Sequence, residues 1–573
     1  MNALSWRRRY FAIGNRSVHA RLAGEGPPVV LVHGSPASSE ILEHEMGILA
    51  PHYSCYAFDT PGFGDSAPLA SLADGVGSLA DALGETLETL GLINVVVFGT
   101  HSGAAIALEL AHRHARLVRG LVLDGLPLFE AGEEGDVTER YFETLQVDDL
   151  GGHFAHVWTR FRDLFQWFPW TNKIPSNLNE VDLPPPARLQ RWVSMFYRAA
   201  TSYAAPYKAV FAYGSQARRA VAELTTPAVF MAHDGDMLFS HLDRLPPLRQ
   251  WQRIARGTRA NMPALLLAAV REMAAGPVSP ASSPMQLQEM PRLAAVAQSA
   301  VKRQFHDLPH GQMFVRRHGV GPIRWLLLHD APGGSRQLEA LLAALPANCA
   351  AIAPDLPGCA ESDPLPASNA DVAGVVQALA LLLALEGATR LAVYGSGFGA
   401  AIALVLARRR PDLVSSLVLH APPAPDPVLR DEMRAQFTPA IEVAADGSHW
   451  YRTWLMLRDS LLYCPWYRGQ CDSLRRVTED FAAQRLHDWT FDVMQQAAHY
   501  HQIPQAVLRM DVADELQQLA ASAAMPIRVL RDPQQRLDLI SLRNVPAGVE
   551  LMTGPWGAAQ LAALLTQQTA AGC

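Results

Sequence analysis

This chain repeats itself once, at long range, and that constrains its fold more than any other feature. The stretch GTHSGAAIALELAHRH, Gly99 to His114, returns as GSGFGAAIALVLARRR, Gly395 to Arg410, an offset of 296 residues. The same offset carries His33 to His329, Pro36 to Pro332, Asp59 to Asp355, Pro61-Gly62 to Pro357-Gly358 and Ser66 to Ser362. Beyond these it carries His153 to His449, Trp158 to Trp454, Arg162-Asp163 to Arg458-Asp459 and Pro169-Trp170 to Pro465-Trp466. Stacked repeat architectures recur every ~20–50 residues, so a period this long is a duplicated domain. Length agrees, because 573 residues exceed the roughly 250–300 at which a single core stops growing. We therefore expect one domain at 1–275 and a second at 301–573. The intervening AAGPVSPASSPMQLQEMP, Ala274 to Pro291, is rich in Pro, Ser and small residues that resist regular structure. It places a linker at 276–300, with a helical segment, Arg292 to Arg303, leading into the second domain.

Within the first copy, PVVLV at Pro28 to Val32 is a short β-branched run meeting a turn at His33-Gly34-Ser35-Pro36. Further runs at Cys55 to Phe58, Val95 to Phe98 and Leu121 to Leu123 alternate with helical segments such as Leu79 to Leu90 and Ala104 to His112. Strand–helix–strand alternation with uniformly apolar strands predicts an α/β fold, a mainly parallel sheet covered by helices on both faces. Residues 129–221 break the rhythm with Trp158, Trp167, Trp170 and Trp192 on helix-like stretches, which reads as an inserted helical lid. A matching lid is expected at about 425–520.

Composition excludes several classes of function. With 49% hydrophobic and 18% charged residues, each half holds enough apolar material for a core. A net charge of -7 and the lack of a basic stripe argue against nucleic-acid partners. The longest apolar stretches, such as Ala378 to Leu385, fall short of the ~20 residues of a membrane span. The amino terminus has basic residues with no signal-like apolar run after them. The six cysteines make no metal-binding spacing. We expect a cytoplasmic protein with scattered free thiols, no metal, no cofactor, no membrane, and a small-molecule substrate as partner. Self-association, or packing of the two domains on each other, is compatible with the sequence.

Three motifs, in order, resemble the α/β-hydrolase family over nearly the whole chain, twice. His33-Gly34-Ser35-Pro36 resembles its first oxyanion loop, and Asp59-Thr60-Pro61-Gly62-Phe63-Gly64-Asp65-Ser66 its D-x-P-G-x-G-x-S turn. Gly99 to Gly103 resembles its G-x-S-x-G nucleophile elbow. The resemblance implies two tandem α/β-hydrolase domains with degenerate triads. In the elbow register His101 stands where the family has serine, and the second copy has Gly397 there, with no side chain for chemistry. The second loop, His329-Asp330-Ala331-Pro332, also replaces the usual glycine with aspartate. An acid position exists at Asp234 or Asp236 in MAHDGDM, and at Asp532 in VLRDPQQ. The histidine that the family places after the last strand is missing from both RIARGTRANMP and VELMTGPWGAAQ.

The candidate catalytic set is therefore His101, Asp124 and Asp236, with Asp124, Asp234 and Asp236 all open as the partner of His101. The amino end of the following helix is expected to keep the imidazole neutral, suiting it to acid/base work. Gly34, Ser35 and Ser102 form the expected oxyanion loop, with the N–H groups of Ser35 and Ser102 as donors. Ser102 as nucleophile is disfavoured by Thr100 and Ala104 at the crowded flanking positions. Candidate substrate contacts are His33, His153, Trp158, Arg162 and Trp170, Arg162 as a carboxylate clamp and the tryptophans as apolar walls. For each, a plain packing role is the alternative, since His33 can support its loop and Asp124 can cap a turn. The expected function is a cofactor-independent enzyme acting through His101 on a small, carbonyl-containing, partly apolar metabolite, as hydrolase, lyase, cyclase or isomerase. The second domain is expected to be inactive and structural, and the alternative is a non-catalytic binding or partner protein.

Overall fold

The computed structural model describes residues 6–130, 137, 139–179, 181–275, 301–475, 481–522, 525–531 and 545–571. The expected linker at 276–300 and Asp532 lie outside the described residues. The chain divides into two compact units, 1–146 with 157–296, and 147–156 with 297–573.

The first unit is built on an eight-stranded sheet of order β1-β2-β4-β3-β5-β6-β7-β8. The strands are β1 Arg7–Ile13, β2 Arg16–Ala23, β3 Pro28–Val32, β4 Ser54–Phe58, β5 Val95–Thr100, β6 Val118–Asp124, β7 Ala228–His233 and β8 Gln252–Gly257. From β4 to β8 the neighbours pair in parallel, and β2 runs antiparallel to both β1 and β4. The apolar runs are uninterrupted because both faces of each strand are covered. Val30, Val32, Val97, Leu121, Leu123 and Phe230 pack on one face in a core shared with the helices Val76–Thr89 and Ser102–Arg113. Their neighbours Val29, Leu31, Val96, Phe98, Val122, Val229 and Met231 pack on the other, with the helices Glu43–Leu49 and Met262–Ala274.

The second unit has the same plan, an eight-stranded sheet of order β16-β15-β14-β13-β11-β12-β10-β9. Its strands are β9 Lys302–Leu308, β10 Gly311–His318, β11 Trp325–Leu328, β12 Ala351–Pro354, β13 Leu391–Ser396, β14 Val414–His420, β15 Ile527–Arg531 and β16 Glu550–Thr553. β9 corrects the helix expected to run to Arg303. Lys302 and Arg303 pair antiparallel with Arg317 and Arg316 of β10, and sheet pairing overrides the local helical pattern. In each unit the chain between the sixth and seventh strands forms helices, among them Gly152–Gln166, Pro186–Ala199 and Ala204–Glu223 in the first copy. Ser448–Leu462 and Ala483–Gln495 are among those of the second.

The shared aspartates explain why the turns hold their shape. Asp59 follows β4, and its buried carboxylate accepts from the N–H groups of Ser39 (2.7 Å) and Asp65 (2.8 Å) and contacts His19 Nδ1 at 2.8 Å. Asp355 accepts from Ser335 N (2.6 Å), Ser335 Oγ (2.5 Å) and Glu361 N (3.0 Å). Each carboxylate thus ties the oxyanion-loop side of the sheet to the turn that follows it.

Candidate functional site

β5 ends at Thr100 and the helix begins at Ser102, so His101 takes the whole reversal at φ 50 and ψ -117. A non-glycine residue there costs on the order of 1–3 kcal/mol, held in place by the packing around it. That packing needs two glycines. A Cβ on Gly99 would lie 2.4 Å from Gly103 O, and one on Gly103 would lie 2.2 Å from Val32 O. The strand and helix backbones therefore touch, and residue 101 is pushed outward. Its N–H donates to Asp124 O at 2.8 Å. Its ring lies over Gly125, where a Cβ would meet His101 Cδ2 at 2.9 Å.

His101 Nε2 lies 2.8 Å from Asp236 Oδ2, and the side chain keeps 36% of its surface exposed. Of the three open aspartates, Asp236 is the partner. It sits in the turn after β7, where its N–H donates to His233 O and its Oδ1 accepts from Leu238 N at 2.7 Å. Asp234 instead gives its N–H to Gly257 O. Burial opposes charge on His101, but Asp236 and then Asp124 outweigh it and raise the imidazole pKa above its ordinary value. The shift runs opposite to the one expected from the helix end, because a carboxylate at hydrogen-bond distance outweighs that partial charge. Burial also opposes ionisation of Asp236, yet His101 and the Leu238 N–H bring its pKa down to about 2. Asp124 goes the other way. Burial pushes its carboxyl up to about 7 against the pull of His101, and the charges of Asp236 and Glu45 add to the rise. Its Oδ1 is buried without a hydrogen-bond partner among the described residues.

The loop expected to hold an oxyanion is already engaged. Ser35 N donates to Ser102 Oγ at 2.6 Å, and Ser102 Oγ donates to Ser35 Oγ at 2.8 Å. The Ser35 N–H expected to face substrate is thus held by Ser102, whose hydroxyl is turned to the loop. His33 is 1% exposed. Its Nε2 accepts from Thr60 N at 3.0 Å, so its Nδ1 carries the proton and donates to Gly34 O at 3.1 Å. This corrects its expected substrate contact, since both ring nitrogens are spent on holding the loop to the turn after β4.

The remaining expected contacts are dispersed. His153 belongs to the second unit, and that is a correction. There it is buried, with Nδ1 3.3 Å from Asp148 Oδ2 and Nε2 3.1 Å from His487 Nδ1. Burial lowers the pKa of both imidazoles, that of His487 to about 3, so the two rings pack as neutral groups. Trp158 is fully buried and Arg162 half-buried. Trp170 packs with Tyr141, Phe142 and Phe211, and the guanidinium groups of Arg160 (5.1 Å) and Arg140 (5.9 Å) lie over its ring. Sequence reading missed Arg160. It is buried, donates to Glu143 O (2.9 Å) and Tyr203 Oη (2.6 Å), and has Met456 at its repeat position, so no repeat pattern marked it.

In the second unit Gly397 makes the same reversal at φ 54 and ψ -123. The space above it is filled by Asp330, since a Cβ on Gly397 would lie 2.0 Å from Asp330 Oδ1. That oxygen accepts from Ala331 N and Phe398 N, both at 2.8 Å, which are the repeat partners of the Ser35 and Ser102 N–H groups. The signal was present in the sequence as the paired changes Gly34 to Asp330 and His101 to Gly397, which make sense only together.

A family model described as the alpha/beta hydrolase fold matches residues 27–261 and 325–438. The chain belongs to the α/β-hydrolase fold family. Among curated relatives it is 31% identical over 115 residues to haloalkane dehalogenase 2 of Mycobacterium bovis, covering 20% of this chain and 40% of that protein. It is 32% identical over 113 residues to (E)-2-((N-methylformamido)methylene)succinate hydrolase of Acinetobacter baylyi, covering 20% and 43%. The match to haloalkane dehalogenase of Agrobacterium fabrum is 27% over 175 residues, 30% and 56% of the two chains. The chain thus spans between two fifths and three fifths of these relatives' lengths. Solved structures of similar fold include Cfl2 from Burkholderia cenocepacia, at 21% identity and TM-score 0.35 over 47% of this chain and 95% of that one. Epoxide hydrolase VrEH1 from Vigna radiata matches at 16% identity and TM-score 0.35, over 47% and 97%. Among the described residues, no helix is long and apolar enough to cross a membrane.

Proposed function

We propose that the first unit is the reactive one, an enzyme that uses His101 as a general acid on a small, carbonyl-containing, partly apolar metabolite. The observation that supports this reading best is the 2.8 Å pairing of His101 Nε2 with Asp236 at the strained turn. With Nε2–H held by Asp236 and the pKa raised, the charged form of the ring is more favoured than in a free imidazole, and Nδ1–H is the proton it has left to give. Asp124, near 7 and hydrogen-bonded to nothing through Oδ1, is the group suited to take up or return a proton close by. Hydrolysis, lyase chemistry and isomerisation all draw on such a pair. A cytoplasmic setting goes with this reading, supported by the free thiols Cys55, Cys349, Cys359, Cys464 and Cys471.

A non-catalytic binding role is the second reading, and the engaged Ser35 N–H favours it. Turnover of a panel of esters, lactones and acyl compounds by the purified chain and by His101→Ala separates the two. Activity that disappears in the variant supports the acid role. Activity unchanged in the variant removes His101 from the mechanism, and an inert native chain favours binding.

A further inference from the structure

The second unit holds a cavity of about 700 Å³, within the ~300–1,000 Å³ of sites for drug-sized molecules. Trp466, Trp489 and Trp556 line it. Their indole N–H groups are all spent on protein carbonyls, those of Phe437 (2.9 Å), Pro332 (2.7 Å) and Arg531 (3.1 Å). What these side chains offer a ligand is ring surface. Arg336, also in the lining, is paired with the buried Asp492 at 3.1 Å.

Asp330 lines the same cavity. Its Oδ1 takes both N–H groups that could have steadied a developing oxyanion, and Gly397 beneath it brings no nucleophile. Its Oδ2 makes no hydrogen bond among the described residues. Burial raises the carboxyl to about 6 against those two N–H groups and the charge of Arg475, so it is ionised at neutral pH. An ionised carboxylate only accepts hydrogen bonds. The polarity of the pocket floor is thus inverted relative to the first copy's plan, from a pair of donors to a single fixed acceptor.

We propose that the second unit is a binding domain for a small, mainly apolar molecule whose polar head donates a hydrogen bond, an amine or an alcohol, to Asp330 Oδ2. It does not turn the ligand over, since Asp330 takes both N–H groups at the oxyanion position and no nucleophile stands at the turn.

Calorimetric titration of the full chain with three near-isosteric probes, phenethylamine, 2-phenylethanol and phenylacetate, tests this. At least one of the two donor probes binds about tenfold or more tightly than phenylacetate, the margin expected of a hydrogen bond to a charged group. The order of amine and alcohol reports whether the head is cationic, and either order supports the proposal. Asp330→Asn keeps an oxygen for Ala331 and Phe398 but turns an amide N–H₂ toward the cavity, and it reverses the order in favour of phenylacetate. Should that variant fail to fold by circular dichroism, Gly397→Ala drives a methyl into the carboxylate's place and removes donor binding. Phenylacetate binding as tightly as both donors, no probe binding at millimolar concentration, or variants that keep the native order would each overturn the proposal.

Discussion

The turns at His101 and Gly397 have nearly the same backbone, φ 50 and ψ -117 against φ 54 and ψ -123, and opposite contents. In the first copy the space over the turn is filled by a ring rising from the turn itself and paired with Asp236 from the loop after β7. In the second it is filled by a carboxylate leaning in from the oxyanion loop, and the turn residue has shrunk to make room. The reversal is set by the backbone contacts of the flanking glycines, which recur as Gly395 and Gly399, a Cβ on either lying 2.5 Å or less from a backbone oxygen. A turn so determined keeps its backbone whether its apex carries an imidazole or no side chain at all. The apex can therefore change its chemistry without disturbing the sheet, and here it has done so in two directions.

Changes at the first turn break or sharpen this contrast. The largest effect is expected from His101→Ala, which lowers kcat/KM for any substrate found by ~10²–10⁴-fold while leaving the thermal midpoint nearly unchanged. Asp124→Asn comes next. The native carboxyl keeps its proton up to about 7 when folded but loses it near 3.9 when unfolded, so native stability falls as pH rises across that window. The variant loses this dependence and, in urea melts at pH 8, gains on the order of 2 kcal/mol. Asp236→Asn removes the main cause of the raised His101 pKa while burial remains. Activity carried by the imidazolium falls as pH rises through that pKa, so the alkaline limb of the rate profile moves to lower pH in the variant. The smallest effect is expected from Ser102→Ala, which frees the Ser35 N–H and changes kcat by about threefold or less. A loss of several orders of magnitude would instead make Ser102 the nucleophile.

The long repeat made the two domains legible, and within each the strands and turns were legible because their signals are local. Buried parallel strands read as apolar runs, and the glycines at 99 and 103 mark a turn whose backbones touch. The site was only partly legible. MAHDGDM offers two aspartates two residues apart, and only the path of the loop after β7 selects Asp236 over Asp234. Ser35 with Ser102, and Phe398 with Asp330, meet across 67 and 68 residues of chain. Nothing in the local pattern tells whether a backbone N–H faces a ligand or a neighbouring side chain. His153 shows the same limit, since a repeat position names a place in the ancestral fold and not the unit in which the residue now packs.

The carboxylate of Asp59 has a consequence for how the molecule fails in acid. Burial works against its charge, but His19, His33 and Arg21 hold it far below the ordinary carboxylate range. Its contribution to stability is full above the unfolded value and drains away progressively as pH falls from there to that very low folded value. Asp236, by contrast, takes up its proton near 2. In an acid titration of the folded first unit the pairing of His101 with Asp236 is therefore lost first, while the clasp after β4 is still fastened.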